Sequence, residues 1–138
     1  FEIFELGHLH ALRRLIDTCG LPFGGKVHLD FVLGVPGSMP ATPQALLAGV
    51  AMLPAEVTSW SATGIGRGHL PVAATAVAAG GHLRVGMEDN LVFARGRQVA
   101  HNSELVSRAA QLAALMQRPA LSPEQAREML GIKERRSR

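Results

Sequence analysis

The stretch Gly80-Gly81-His82-Leu83-Arg84-Val85-Gly86-Met87-Glu88-Asp89-Asn90-Leu91 decides how the chain is read. Its leading glycines stop a helix, and the alternation after them predicts a strand over 82–87. On a strand Arg84 and Gly86 share one face while Val85 and Met87 share the other. Gly86 then leaves room beside Arg84 for a ligand or another backbone. Glu88 and Asp89 fall where the strand opens into a loop, the place where α/β folds put their chemistry. The active site is expected here.

Working back from that stretch, the same strand–helix rhythm recurs three times. Residues 1–6 read as a strand ended by Gly7, and Leu9, Leu12, Leu15, Ile16 and Cys19 recur at helical spacing up to Gly20. Residues 26–33 are rich in apolar and β-branched side chains and predict a second strand. Thr42-Pro43, an N-cap followed by proline at the first helical position, opens a second helix that runs to Pro54. A third strand is expected over 57–62, then a glycine-rich loop over 63–68, then an Ala/Val-rich helix opened by Pro71. Trp60 is expected in the core. Downstream, residues 90–100 read as irregular. Asn102 or Ser103 caps a helix over 104–116, and Ser122-Pro123-Glu124-Gln125 is a capping box for a last helix stopped by Gly131.

Four strand–helix units in strict alternation imply a parallel sheet with right-handed crossovers. A (β/α)₈ TIM barrel takes roughly 250 residues, so 138 residues holding four units correspond to half of one; a small open sheet is the alternative. A half-barrel leaves two open edges, at the Phe1 strand and the His82 strand, which must pair with a missing half or aggregate. Phe1 stands inside a strand from the first residue, so the chain reads as part of a longer polypeptide. The expected organisation is a half-barrel over 1–131 and a basic tail over 132–138.

The formal charge is +3 from 14 basic and 11 acidic residues. Four of the basic residues and one acidic residue lie in 132–138, which leaves ten of each sign in the body. A neutral body does not argue for nucleic acid as a partner. Cys19 is the only cysteine, so no internal disulfide and no cysteine-based zinc site can form. No apolar run approaches ~18 residues and no signal-peptide pattern is present, so a cytoplasmic protein that does not enter a membrane is expected.

Taken together, several segments in the right order resemble the β-keto acid cleavage enzymes, over nearly the whole chain and as the C-terminal half of that family's fold. The most specific is Gly80 to Leu91. Supporting it are Glu2-Ile3-Phe4-Glu5-Leu6-Gly7-His8, Gly64-Ile65-Gly66-Arg67 with Pro71 behind it, Asn102-Ser103-Glu104-Leu105-Val106, and Ala126-Arg127-Glu128-Met129-Leu130-Gly131. The resemblance implies a (β/α)₈ barrel with one divalent metal, usually zinc. It implies that a β-keto acid and acetyl-CoA become acetoacetate and a new CoA thioester, and that the protein is a homo-oligomer, by resemblance a tetramer. The metal is expected on two histidines of an early strand, absent here, and on the glutamate matched by Glu88. Asp89 and Arg84 match the family's catalytic aspartate and arginine. Where the family carries glutamine, this chain carries His69.

Beside the resemblance, each candidate has its own chemistry. Glu88 fits a His₂-carboxylate zinc set, or it is a loop carboxylate paired with arginine. Asp89 fits a general base with Arg84 orienting it, or the two form a structural ion pair; whether they meet depends on the turn between them. Glu2, on the first strand, is a candidate to line the site. Gly64, Gly66 and Arg67 could cradle a phosphate of CoA, or form a plain connection. His8-Leu9-His10 would be metal-ligand geometry on a strand, but a helix starts at about that point and turns the two rings apart. A different class of function stays open: a non-catalytic phosphate- or nucleotide-binding module built on the 64–67 loop.

Overall fold

Four parallel strands in the order β1-β2-β3-β4 form the sheet of the computed structural model, which describes residues 1–22 and 25–132. The strands are β1 (Glu2–Ile3), β2 (His28–Leu33), β3 (Ser59–Gly64) and β4 (His82–Leu83). Between them run α1 (Leu6–Cys19), α2 (Pro43–Ala51) and α3 (His69–Ala78). A hairpin of β5 (Val92–Ala94) and β6 (Arg97–Gln98) follows, then α4 (Asn102–Leu115) and α5 (Pro123–Leu130). The basic tail expected at the C-terminus lies, beyond Ile132, outside the described residues.

Register and alternation split the sheet into two unlike faces. Glu2, Asp30, Ser61 and His82 are aligned across the four strands, and Ile3, Phe31, Ala62 and Leu83 form the next row. Adjacent residues of a strand face opposite ways, so the second row points away from the first. Ile3, Leu29, Phe31, Leu33 and Ala62 pack with Leu9, Leu12 and Ile16 of α1, Leu46 of α2, and Val72 and Ala76 of α3 in one buried cluster. The other face carries His28, Asp30, Ser59, Ser61 and Thr63. It is polar because no helix of the α1–α3 set lies on it.

Local signals account for most boundaries. Thr42 caps α2, its hydroxyl accepting from the Ala45 N–H, with Pro43 at the first helical position. Ser122 and Gln125 make the expected capping box, and Gly131 ends α5 in the left-handed conformation at φ 69°. Gly80 and Gly81 end α3 for two separate reasons. Gly80 turns at φ 90°, while a Cβ on Gly81 would run into the Trp60 ring, which itself packs edge-on against Phe31. Arg118 closes the same corner by donating to the Val77, Gly81 and Gly80 carbonyls at 2.8, 2.8 and 3.0 Å.

Elsewhere the structure corrects the expected elements. The first strand covers only Glu2–Ile3, and Gly7 lies inside α1 rather than ending a strand. The third strand runs on through Thr63 and Gly64, so only the end of the glycine-rich segment is a turn. β4 stops at Leu83: the Arg84 N–H still reaches Ala62 O, but the Gly86 carbonyl takes the Asp89 and Asn90 N–H groups in a turn. Residues 92–98 pair as an antiparallel hairpin around Gly96 instead of wandering. Asn102 does not cap α4; its Oδ1 accepts from the Met87 N–H at 2.7 Å and ties the helix start to the loop after β4. Among the described residues, no helix is long and apolar enough to cross a membrane.

The tightest fit between helix and sheet is Gly49 of α2 on Phe31, whose Cε1 and Cζ lie 2.6 and 3.0 Å from where a Cβ would be. Gly49→Ala forces that ring or the helix to move and should lower unfolding stability by about 1–3 kcal/mol. Denaturant titration of the full-length protein, with unchanged slope and a lower midpoint, measures it.

Candidate active site

Arg84 leaves the end of β4 and reaches across the polar face of the sheet. Its two terminal nitrogens each serve a pair of carboxylates. Nη1 lies 3.1 Å from Glu2 Oε1 and 3.3 Å from Asp30 Oδ2, and Nη2 lies 3.5 Å from Glu88 Oε1 and from Asp89 Oδ2. The structure thus brings four of the expected residues together (Glu2, Arg84, Glu88 and Asp89) and settles that Arg84 and Asp89 meet. Glu2, Asp30 and Arg84 of this group line a cavity of about 1010 Å³ together with His28, Ser61 and, from the late helices, Ala109, Ala113 and Met129.

Gly86 has a different role from the expected one. Lying in a turn, it leaves its missing side-chain space to the Glu88 carboxylate itself, which a Cβ would strike. Gly64 and Gly66 are likewise committed to backbone tasks. A Cβ on Gly64 would lie 2.8 Å from the Gly68 carbonyl and 2.9 Å from Val72 Cβ, so glycine there lets α3 approach β3. Gly66 turns at φ 61° and donates its N–H to the Asp89 carbonyl at 3.3 Å. Arg67 is exposed beside them, without an ion pair among the described residues. His8 sits in α1, where its Nδ1 accepts from the Phe4 N–H at 3.2 Å, and His10 points elsewhere on the same helix.

Burial raises the carboxyl of Asp89 above the ordinary aspartate value; Arg84 opposes the shift, while Glu88, Asp30 and Glu2 add to it. Asp89 Oδ2 is also buried without a hydrogen-bond partner. For Arg84, burial works against the charge, but Asp89, Asp30 and Glu2 more than offset it and hold the guanidinium charged. Four carboxylates around one guanidinium leave an excess of negative charge, which suits a cation. Among the described residues, however, no three His, Cys, Asp or Glu side chains gather to hold a metal. Glu88, whose side chain is exposed, fits one oxygen ligand of a divalent ion, with the remainder supplied from elsewhere.

The part of the site that composition alone concealed is on β2 and β3. Asp30 is buried and accepts from Ser61 Oγ at 2.5 Å and Thr63 Oγ1 at 2.7 Å. The Ser61 hydroxyl has spent its proton on Asp30, so it can only accept from His28 Nε2, 3.2 Å away. The neutral ring then takes the Ser59 hydroxyl proton at Nδ1 over 2.8 Å. The signal was present: His28 and Asp30 alternate with Leu29, Phe31 and Leu33, and a carboxylate in mid-strand is rarely buried without partners.

The beta-keto acid cleavage enzyme family model matches residues 1–132, almost all of the chain. The chain belongs to the beta-keto acid cleavage enzyme family. It is 41% identical over 131 residues to 3-keto-5-aminohexanoate cleavage enzyme of Acetoanaerobium sticklandii, covering 95% of this chain and 47% of that protein. It is 35% identical over 134 residues to 3-dehydrocarnitine:acetyl-CoA trimethylamine transferase of Rhizobium meliloti, covering 97% of this chain and 43% of the relative. Against 3-oxoadipate:acetyl-CoA acetyltransferase of Cupriavidus necator the identity is 36% over 110 residues, 78% of this chain and 39% of the other. The chain therefore spans less than half the length of these relatives.

Three histidines near the sheet make the fold sensitive to acid. Burial lowers His28, His69 and His82 below the ordinary 6.5, helped by the charges of His82, Arg108 and Arg118 respectively. The unfolded chain protonates these rings first as pH falls, so their contribution is complete above 6.5 and is lost as pH falls toward the depressed folded values. The melting temperature of the full-length protein should decline progressively below that pH. Buried His69→Gln should make the decline shallower, and an unchanged slope would remove His69 from the account.

Proposed function

We propose that the chain is the C-terminal half of a metal-dependent (β/α)₈ enzyme that condenses a β-keto acid with acetyl-CoA, giving acetoacetate and a new acyl-CoA. The observation that carries this reading is the Arg84 guanidinium joining Glu88 and Asp89 to Glu2, in a chain of this family. Three helices packed on one face of a parallel sheet support a barrel arc, since an open doubly wound sheet covers both faces. The relatives named as acetyl-CoA transferases support the co-substrate.

In this reading Asp89 is the base. It removes a proton from the carbon between the keto and carboxylate groups of the substrate, the most acidic C–H available. Its raised affinity for protons brings it closer to that task, and Arg84 keeps it aimed and stabilises it once ionised. Glu2 steadies the far side of the guanidinium. Glu88 would hold the zinc or other divalent ion, which when bound supplies Lewis-acid polarisation of the keto oxygen. The phosphates of CoA would lie over the loop of Gly64, Gly66 and Arg67, with the exposed Arg67 as the contact. A cytoplasmic homo-oligomer completes the reading, with α4 as a candidate contact surface. The non-catalytic phosphate-module alternative is less well supported, because the relatives are named as a cleavage enzyme and acetyl-CoA transferases.

Elemental analysis of the full-length protein and its Glu88→Ala variant tests the metal. The expected result is about one zinc per chain in the parent and far less in the variant. A metal-free parent, or a variant that keeps its zinc, overturns the role of Glu88. Asp89→Asn should retain zinc and lose about a hundred- to ten-thousandfold in kcat with acetyl-CoA and a β-keto acid. Turnover within twofold of the parent would remove Asp89 as the base.

A further inference from the structure

Asp30 is a buried carboxylate to which the proposed reaction gives no task. Both of its oxygens are occupied from the neighbouring strand, Oδ1 by the Ser61 hydroxyl and Oδ2 by the Thr63 hydroxyl, and Oδ2 also faces Arg84 Nη1 at 3.3 Å. All three contacts use it as an acceptor. We propose that Asp30 is the positioning residue that aims the Arg84 guanidinium at Asp89, with Ser61 and Thr63 as the clamps that keep Asp30 from turning. The proposal rests on the reading of Asp89 as the base.

The geometry separates Asp30 from the other carboxylates around Arg84. The Asp30 side chain is 10% exposed and held by short bonds in the middle of a six-residue strand, whereas the Glu2 side chain is 56% exposed and stands on a strand of two residues. Glu88 and Asp89 belong to a loop. Arg84 itself follows directly on the last ladder residue, and its long side chain would sample many rotamers without an anchor. Because the guanidinium is a rigid plane, pinning Nη1 on Asp30 also sets where Nη2 points, which is at Glu88 and Asp89. His28 keeps the clamp pointed the right way. By donating to Ser61 Oγ it leaves that hydroxyl's own proton directed at Asp30. A buried carboxylate costs stability unless fully partnered, and an apolar residue would serve a parallel strand as well, so a purely structural role gives no reason for one here.

The test is a double-mutant cycle in the full-length enzyme. Asp30→Asn should lower kcat about ten- to a hundredfold while KM moves less than about threefold. In an Arg84→Ala background the same change should alter kcat less than about twofold, because the group it positions is gone. An equal proportional loss in both backgrounds, or a loss confined to KM, overturns the proposal. Should Asp30→Asn fail to fold, Thr63→Val keeps the β-branched shape and removes only the clamping hydroxyl. Its smaller kcat loss should again vanish with Arg84→Ala, and an additive loss overturns the proposal. If the parent shows no acetyl-CoA-dependent turnover, the base assignment fails separately. Crystal structures of the parent and Asp30→Asn then decide: a guanidinium displaced from residue 89 supports positioning, and an unmoved one overturns it.

Discussion

One guanidinium holds the candidate site together. Arg84 touches β1, β2 and the loop after β4 at once, through Glu2, Asp30, and Glu88 with Asp89. Remove it and four carboxylates face each other across a small space, a repulsion that burial makes worse. Planarity matters as much as charge. A lysine would supply the same charge from a single point and could not address the sheet pair and the loop pair from separate nitrogens.

That arrangement depends on a sheet with two unlike faces. Alternation along β2 sends Leu29, Phe31 and Leu33 into the helices and His28 and Asp30 the other way, and β3 repeats the division with Ala62 against Ser61 and Thr63. Parallel strands usually read as nearly continuous apolar runs because both faces are buried. Here the polar alternation marks the face that carries the candidate site. The backbone then delivers the loop: the Gly66 N–H on the Asp89 carbonyl and the Asn102 amide on the Met87 N–H fix the Glu88–Asp89 turn from both sides.

Much of this was legible in the sequence. The alternation of strands and helices, the Thr42 and Ser122 caps, the stop at Gly80-Gly81 and the placing of Glu88 and Asp89 just past β4 all follow from local patterns, because local geometry enforces them. What was not legible depends on groups distant in the chain. β4 ends early because the Gly86 carbonyl finds partners in its own turn, and Asn102 is drawn from its capping position by Met87, fifteen residues away. Gly86 was readable as a site of close approach, but nothing local shows that Glu88 is what approaches. Asp30 does not stand out, because the segment around it reads as apolar on average. Position by position, the segment does not.

The unequal lengths of the strands carry a consequence for motion. β2 and β3 share a six-residue ladder, while β1 and β4 each contribute two residues at the flanks. Amide exchange is slowest where ladders are long and buried, so the Asp30 clamp belongs to the most protected part of the sheet. Glu2 and Arg84 belong to the short ladders on either side of it. Opening of either short ladder would break the guanidinium's contacts while the hydrophobic layer beneath stays intact. The geometry of the candidate site would then be lost and regained on the timescale of local breathing rather than of global unfolding.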